Sequence, residues 1–333
     1  MGLDVAGLGN ALMDALVVID DDQLIADLEL QRGTMHPVDN GRWQQVYEKL
    51  KPLGVVFESG GSCANTTATV GRLGGAALYC GQVGNDELGR IYAERMTEAC
   101  GHHALQFTDR SATGKCLSVI SRSDGERTML TDLGAAVSLA SLGNFSSDMS
   151  KSKIAHFTGY TLLDGPMQAV ALGAIATASK AGVKVSIDVA DPFVVGLIRE
   201  RLWQVLQDFA DIVFLNADEA RALTGLDPND AVHAVADRAG VETVVVKIGK
   251  EGSLVRHGSE LFRVAIKPVK AIDTTGAGDA YAGGYLYGVS RGWPVMRCAT
   301  LASAVAAETV LQVGAVVKSR DTLQACLAKS SEY

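Results

Sequence analysis

Short apolar runs alternate with longer segments of helical periodicity along most of the chain. From residue 153 onward the pattern predicts helices at 166–181, 193–208, 217–224 and 229–240, between strands at 154–157, 184–188, 212–215, 243–248 and 253–256. Continuous apolar strands that alternate with helices are typical of a parallel sheet covered by helices on both faces. We therefore expect an α/β protein with a three-layer α/β/α domain.

The N-terminal part follows this pattern with an interruption. It predicts a strand at 3–8 and helices at 22–31, 40–50, 64–73 and 87–100. Strand-like runs within 15–19, 33–38 and 104–132 have no crossover helices between them, and Asp124-Gly125 is a hairpin signal. We expect a small β lid from about 15–39 and 104–132, and a large domain from about 3–14, 40–103 and 133–333.

Composition and charge narrow the class of ligand. The 333 residues include 30 Lys and Arg against 38 Asp and Glu, a formal net charge of −8. An acidic chain without a dense basic run does not favour nucleic-acid binding. Six cysteines without a CxxC pair indicate reduced thiols. With no basic signal-peptide region and no run approaching about 18 apolar residues, we expect a cytoplasmic protein that binds a small molecule and no membrane.

The segment Asp273–Gly284, DTTGAGDAYAGG, carries the strongest chemical signal. Small residues at Gly276, Ala277 and Gly278 precede a helical pattern, so successive main-chain N–H groups can surround an anion at a helix N-terminus. Asp279 follows in the first turn. A carboxylate beside an anion site suits a base that accepts a proton from a hydroxyl attacking phosphorus. Neither a GxxxxGK[ST] loop nor a GxGxxG fingerprint occurs, which disfavours P-loop kinases and Rossmann dehydrogenases.

This segment is similar to the C-terminal signature of the ribokinase-like kinases of the phosphofructokinase-B type. Further segments resemble motifs of that family in the same order: GLGNALMD at 7–14, GGSCAN at 60–65, NADE at 216–219 and VVKIGKEG at 245–252. The resemblance covers nearly the whole chain. It implies a ribokinase-like α/β/α domain with a small β lid, and an ATP-dependent kinase that acts on a sugar or nucleoside.

The resemblance also implies roles for individual residues. Asp279 would be the base, with residues 276–278 as the anion hole. The acceptor's hydroxyls would be bound by Asn10, Asp14, Gly60, Gly61 and Asn65. An acid and an amide together recognise a diol better than apolar contacts do, although Asn10 and Asp14 alone also fit a solvated turn.

The nucleotide side would use Asn216, Lys247, Gly249 and Gly252, together with Gly276 and Gly278. Glu219, helped by Asn216, would hold Mg²⁺ through water, because magnesium keeps much of its hydration. An Asn-x-x-Glu by itself is also an ordinary helix cap.

Two further roles concern the lid and a monovalent cation. Arg127 on the predicted hairpin would swing over the transferring phosphoryl group, and an exposed hairpin arginine is the alternative. Asp273, Thr275 and Gly314 match the family's K⁺ loop, and a capped turn is the alternative.

The acceptor is divided between two subgroups, adenosine kinases and sugar kinases. The segments GLGNALMD, TGKC at 113–116 and DPF at 191–193 resemble the adenosine kinase type. A purine would fit a slot lined by Phe193, Tyr160, Cys116 and Met129, with Met35 as a further candidate. Thr275, also counted on the substrate side, replaces an Asn frequent in eukaryotic adenosine kinases, and the GERT turn is common in bacterial sugar kinases.

We expect phosphorylation of the 5′-hydroxyl of adenosine, giving AMP and ADP. A sugar kinase is the alternative, and a ligand-binding homologue without catalysis is the second. The chain is expected to be a monomer or a homodimer through the lid. Exposed apolar residues at 15–19 or 116–120 would favour the dimer.

Overall fold

The computed structural model describes residues 2–266 and 268–332. Its strands are β1 (Val5–Leu8), β2 (Leu12–Ile19), β3 (Met35–Pro37), β4 (Val56–Gly60), β5 (Ala77–Cys80), β6 (Gln82–Gly84), β7 (Gln106–Thr108), β8 (Gly114–Ser121), β9 (Arg127–Asp132), β10 (Ile154–Thr158), β11 (Lys184–Asp188), β12 (Ile212–Asn216), β13 (Thr243–Lys247), β14 (Ser253–His257) and β15 (Glu260–Val264).

The helices are α1 (Gln23–Asp27), α2 (Asn40–Leu50), α3 (Ser62–Arg72), α4 (Glu87–Cys100), α5 (Phe145–Met149), α6 (Pro166–Lys180), α7 (Pro192–Phe209), α8 (Ala217–Thr224), α9 (Pro228–Ala239), α10 (Ala277–Ser290), α11 (Val295–Thr309) and α12 (Arg320–Ser330). Most bounds agree with the predicted ones within a few residues. The helix expected at 22–31 is shorter, because the chain leaves it at Leu28 and Glu29 adopts a φ of 58°.

The large sheet has eight strands in the order β15-β14-β13-β12-β11-β10-β1-β5. The pairs from β5 to β13 are parallel, and β14 and β15 add antiparallel strands at one edge. One apolar cluster contains residues of α5–α9, and a second contains residues of α3 and α10–α12. The expected three-layer α/β/α architecture is therefore confirmed.

The strand order identifies the edge where a ligand binds. The chain passes from β1 to β5 on one side and later continues from β10 to β13 on the other side of β1. In open parallel sheets, ligands bind outside the carboxyl ends of the strands where the order reverses. The residues that follow β1, β10, β11, β12 and β13 are therefore at the functional edge.

A second sheet of five strands, β3-β9-β8-β2-β4, forms the small β unit. Its strands β8 and β9 are an antiparallel hairpin, which confirms the turn predicted at Asp124-Gly125. The apolar residues Ala15, Val17, Ile19, Leu117 and Val119 are buried against α1 and α2 within the chain. These positions thus offer no exposed surface for a dimer, and the oligomeric state stays a prediction.

The expected boundaries of this unit, 15–39 and 104–132, need two corrections. β4 is an edge strand of the small sheet, paired antiparallel with β2, and Trp43 of α2 lies in the same apolar cluster as Val17. In contrast, β7 pairs with β6 in a separate two-stranded sheet. β4 is mostly half-buried and has no long apolar run, so only its pairing with β2 assigns it to the small sheet.

None of the described helices is both long enough and apolar enough to cross a membrane.

Helices α3 and α10 pack closely, and a glycine permits the contact. A Cβ at Gly283 of α10 would lie 2.6 Å from the Thr69 Cβ and 2.8 Å from the Thr66 carbonyl oxygen of α3. Such distances are far inside ordinary contact, so a larger residue would force the helices apart. This packing brings the N-terminal turns of both helices to the same edge of the sheet.

We predict that Gly283→Ala lowers the free energy of unfolding by about 1–3 kcal/mol, because overpacking displaces backbone and a β carbon. Denaturant unfolding measures the change. The matched control is Gly173→Ala in α6, where a Cβ meets nothing within 4 Å. There alanine should leave stability unchanged or raise it by about 0.5–1 kcal/mol. Equal stabilities of Gly283→Ala and the wild type would contradict the close approach.

Candidate active site

A cavity of about 610 Å³ opens at the predicted edge of the large sheet. The strands β11, β12 and β13 end on it with Asp188, Asn216 and Lys247, and α10 begins on it with residues 277–279. Arg127 of the small sheet also lines it. Residues from distant parts of the chain thus meet between the sheet edge, a helix N-terminus and the small β unit.

The N-terminal end of α10 is shaped to hold an anion. Gly276 has a φ of 71°, a conformation that favours glycine, and within the described residues no side chain caps this end. A Cβ at Gly276 would also lie 2.3 Å from the Ala315 Cβ. The open main-chain N–H groups and the helix dipole make this turn suitable for a phosphoryl group.

The Asp279 carboxylate stands in the first turn of α10, half-buried at the cavity wall. Its Oδ1 accepts a hydrogen bond from the Ser62 hydroxyl at 2.6 Å, and its Oδ2 accepts one from Asn65 Nδ2 at 2.8 Å. Burial raises the pKa of Asp279, and these two hydrogen bonds oppose the increase. The carboxylate is therefore oriented by two donors of α3.

A buried ion pair lies beside the anion site. Lys247 Nζ donates to Asp188 Oδ2 at 2.9 Å, and the two side chains are only 14% and 3% exposed. Burial alone would lower the pKa of Lys247, but Asp188 and Glu219 raise it above its ordinary value. A Cβ at Gly278 would lie 3.1 Å from Lys247 Nζ, so this ammonium group is held next to the helix N-terminus as a positive charge.

Asn216 and Glu219 form a capping box at the start of α8. Glu219 accepts hydrogen bonds from the main-chain N–H and the Nδ2 of Asn216, and the Asn216 side chain accepts from the Glu219 N–H. Glu219 is 2% exposed, and burial raises its pKa. Both residues line the cavity, and their carboxylate and amide oxygens fit a hydrated Mg²⁺ ion, for which oxygen ligands are preferred.

Arg127 reaches from β9 to the loop before α10. Its Nη1 donates to Thr275 Oγ1 at 2.6 Å, which brings the guanidinium group to the cavity as expected for an arginine of the lid. Thr275 also donates to Asp273 through its N–H and its hydroxyl. Arg127 and the helix N-terminus therefore face the same space.

The Asp273 carboxylate is used within the chain. Thr275 occupies Oδ1, and the Gly314 N–H donates to Oδ2 at 3.0 Å. Asp273 is 2% exposed and caps this loop. The arrangement matches the capped-turn alternative, and the expectation of a K⁺ site finds no support in it.

The residues expected to bind acceptor hydroxyls lie where β1, β2, β4 and α3 meet. A Cβ at Gly60 would lie 2.1 Å from Asp14 Oδ2, and one at Gly61 would lie 2.2 Å from the Asn10 carbonyl oxygen. Among the described residues, Asn10 Oδ1 is buried without a hydrogen-bond partner. Asn65 uses its Nδ2 on Asp279, which leaves its Oδ1 for a hydroxyl.

The residues expected around a purine are less closely assembled. Cys116 lies beside Asp14 in the β2–β8 register, and Met129 lies opposite Ser118 on β9. Tyr160 donates to Asp191 at 3.2 Å at the start of α7, whereas Phe193 is 56% exposed. The wall of the 610 Å³ cavity, as far as the structure describes it, includes none of Cys116, Met129, Tyr160 and Phe193.

On the nucleotide side, Gly249 and Gly252 line the cavity with Lys247, as expected. Two residues of the site were not selected from the sequence. Ser62 is three residues before Asn65 on α3, a spacing that puts both on one helix face. Asp188 is the acid that ends an apolar strand. The helical spacing of Ser62 and Asn65 and the place of Asp188 at the end of a strand are the two features of the sequence that could have identified these residues.

The chain belongs to the pfkB family of carbohydrate kinases. The model of that family, described as pfkB family carbohydrate kinase, matches residues 40–322. This membership confirms the expected kinase and the ribokinase-like fold, and it implies that ATP is the phosphoryl donor.

Relatives of this chain include kinases with different acceptors. Probable fructokinase-7 of Arabidopsis thaliana is 28% identical over 298 residues, 81% of this chain and 84% of the relative. Adenosine kinase of Saccharomyces cerevisiae is 28% identical over 328 residues, 92% of this chain and 94% of the relative. Adenosine kinase from Sinorhizobium meliloti, known from a crystal structure, is 31% identical to this chain. The match covers 98% of this chain and 100% of that protein's chain, with a TM-score of 0.87.

The charge state of Asp14 generates a pH prediction. Burial raises its pKa from 3.8 to about 7, Arg127 opposes the increase, and Asp279, Asp273 and Glu58 add to it. A carboxyl group with a raised pKa in the folded state binds its proton more tightly than in the unfolded chain. Its contribution to stability is therefore lost as the pH rises from about 4 to about 7.

We predict that Asp14→Asn raises the melting temperature relative to the wild type, and that the gain is larger at about pH 8 than at about pH 5. Thermal unfolding at both pH values measures it. Asp208→Asn, at an exposed position of α7, is the control and should show no such difference between the two pH values. An increase in melting temperature of Asp14→Asn that is the same at both pH values would contradict the raised pKa of Asp14.

Proposed function

We propose that this chain is an ATP-dependent kinase that phosphorylates the 5′-hydroxyl of adenosine, giving AMP and ADP. One observation carries the transfer chemistry: the Asp279 carboxylate stands in the first turn of α10, beside Lys247 and facing a cavity of about 610 Å³. A carboxylate base can accept the proton of an alcohol, and an open helix N-terminus can bind the phosphoryl group that is transferred to it.

The transfer is in line. The acceptor oxygen forms a bond to the γ-phosphorus while the bond to the bridging oxygen of ADP breaks, and the hydroxyl proton passes to Asp279. Main-chain N–H groups of residues 276–278, together with Lys247, stabilise the negative charge on the migrating group. Positioning and these electrostatic contacts supply most of the acceleration, because phosphoryl transfer needs little covalent help from a protein.

The nucleotide side of the cavity fits a charged ligand. Gly249 and Gly252 allow the backbone to approach the phosphates and base of ATP, and Asn216 and Glu219 are suited to orient water molecules around Mg²⁺. When bound, Mg²⁺ neutralises phosphate charge. Arg127 is close enough to the anion site to cover it when the small sheet closes, which would exclude water and limit hydrolysis of ATP.

Adenosine is supported as the acceptor by the small sheet. Since Asp14 and Cys116 are paired in register, an acceptor whose hydroxyls bond to Asp14 brings its attached ring against Cys116 and Met129. A thiol and a thioether suit the flat face of a purine better than the polar rim of a free sugar. The similar adenosine kinases of Saccharomyces cerevisiae and Sinorhizobium meliloti support the same acceptor.

A sugar kinase is the second candidate, and two observations favour it. The similar probable fructokinase of Arabidopsis thaliana is as identical to this chain as the yeast adenosine kinase is. Phe193, the proposed aromatic partner of the purine, is 56% exposed. Binding of a purine would therefore require Phe193 to become covered, whereas a free sugar needs no such aromatic contact.

The deciding experiment measures ADP release with a panel of acceptors: adenosine, guanosine, ribose, fructose and 2-keto-3-deoxygluconate. The proposal predicts the highest kcat/KM for adenosine, with AMP identified by chromatography. Preferred turnover of fructose or another sugar would replace adenosine by the second candidate. Ligand binding without turnover of any acceptor would indicate a homologue without catalysis and remove the kinase mechanism.

We predict that Asp279→Asn lowers kcat at least ~100-fold, because removal of a general base has that order of effect. Binding of ATP, measured by calorimetry, should persist because the N–H groups of α10 are retained. Asp237→Asn, at an exposed carboxylate of α9 that pairs with Arg256 and lies outside the described wall of the cavity, is the matched control and should keep normal turnover. Near-normal kcat in Asp279→Asn would exclude Asp279 as the base.

A further inference from the structure

Ser62 is the first residue of α3, and its hydroxyl contacts the proposed base directly. The distance from Ser62 Oγ to Asp279 Oδ1 is 2.6 Å, which is typical of a hydroxyl that donates to a charged carboxylate. Ser62 also lines the cavity together with Asp279. The sequence motifs assigned no role to this hydroxyl.

The opposite carboxylate oxygen is held from the same helix. Asn65 Nδ2 donates to Asp279 Oδ2 at 2.8 Å, so Ser62 and Asn65, three residues apart, each bind one oxygen of the carboxylate. This arrangement fixes the plane of the carboxylate group. A carboxylate has about four lone-pair sites, so room remains for the hydroxyl of an acceptor.

We propose that Ser62 is a positioning residue for Asp279: its hydroxyl holds the carboxylate plane in the orientation that receives a proton from the acceptor alcohol. The inference rests on the proposed phosphoryl transfer and specifies how its base is kept ready. Ser62 acts through Asp279 and not on the phosphoryl group.

The charges around Asp279 explain why such a donor matters. The neighbouring acids Asp188 and Asp14 disfavour a negative charge on Asp279, and the neighbouring base Lys247 favours it. Burial raises the pKa of Asp279, and the Ser62 and Asn65 bonds lower it. Loss of the Ser62 bond therefore favours the protonated acid, which cannot act as a base.

The first test is the pH dependence of kcat for Ser62→Ala, with ATP and the acceptor that the wild type prefers. We expect kcat near pH 7 to fall and the acidic limb of the profile to move to higher pH, because the hydrogen bond that lowers the pKa of Asp279 is lost, with little change in the KM for ATP. Ser62→Thr keeps the hydroxyl and should restore the wild-type limb. An unshifted limb in Ser62→Ala would overturn the proposal.

A matched control separates this role from simple loosening of α3. The Thr66 hydroxyl donates to the main-chain oxygen of Asp279 at 3.2 Å, on the same helix and to the same residue, but not to the carboxylate. Thr66→Val removes that bond with little change in shape. It should leave the acidic limb in place, and a limb shifted as in Ser62→Ala would assign the effect to helix packing and reject the proposal.

A second measurement does not depend on turnover. The carboxyl carbon of Asp279 is followed by NMR titration in protein labelled at aspartate, with Asp279→Asn used to assign the signal. The midpoint should be higher in Ser62→Ala than in the wild type and unchanged in Thr66→Val. Equal midpoints in Ser62→Ala and the wild type would refute the role of Ser62, whereas failure of the acceptor panel alone would refute only the proposed function.

Discussion

The meeting of two helix N-termini around one carboxylate is the contact on which the site depends. Asp279 lies in the first turn of α10, and Ser62 and Asn65 lie in the first turn of α3. A charged carboxylate in a partly enclosed space is costly unless donors compensate it. The close packing of α3 on α10 at Gly283 supplies that compensation by holding the donors in reach.

The other charged groups of the proposed phosphoryl site are also held by hydrogen-bond or ion-pair partners. The Lys247 ammonium is paired with Asp188 from the neighbouring part of the sheet, and Glu219 is bonded to Asn216 within one helix turn. Each charged group is thus held by a partner on a strand end or a helix start. Rigid helices and strands can hold charged groups to within a fraction of an ångström of the required position. Electrostatic stabilisation of a transferring group requires such precision.

The side proposed to bind the acceptor is built differently. Asp14, Cys116 and Met129 lie on the small sheet, which is joined to the large domain near Asn10 and Gly61. Binding groups on a separate sheet can vary with little disturbance to the phosphoryl side. This division is consistent with a family in which similar chains are named for adenosine and for fructose.

The sequence by itself determined the α/β/α class, most helix and strand positions, the turn of small residues at 276–278 before a helix, and the kinase family. These properties follow from local signals: apolar periodicity, small residues before a helix and motifs of neighbouring residues. Among the site residues, Asp279 and Lys247 were selected for the same reason, because each belongs to a contiguous motif.

Only the tertiary structure decided which distant groups meet. The half-buried strand Val56–Gly60 became part of the small sheet through its pairing with β2, and Ser62 became a partner of Asp279 although the two are 217 residues apart. The hydrogen bond from the Gly314 N–H, 41 residues away, identifies Asp273 as a cap of its loop. A hydrogen bond depends on distances in space, and spacing along the chain does not encode them for residues so far apart.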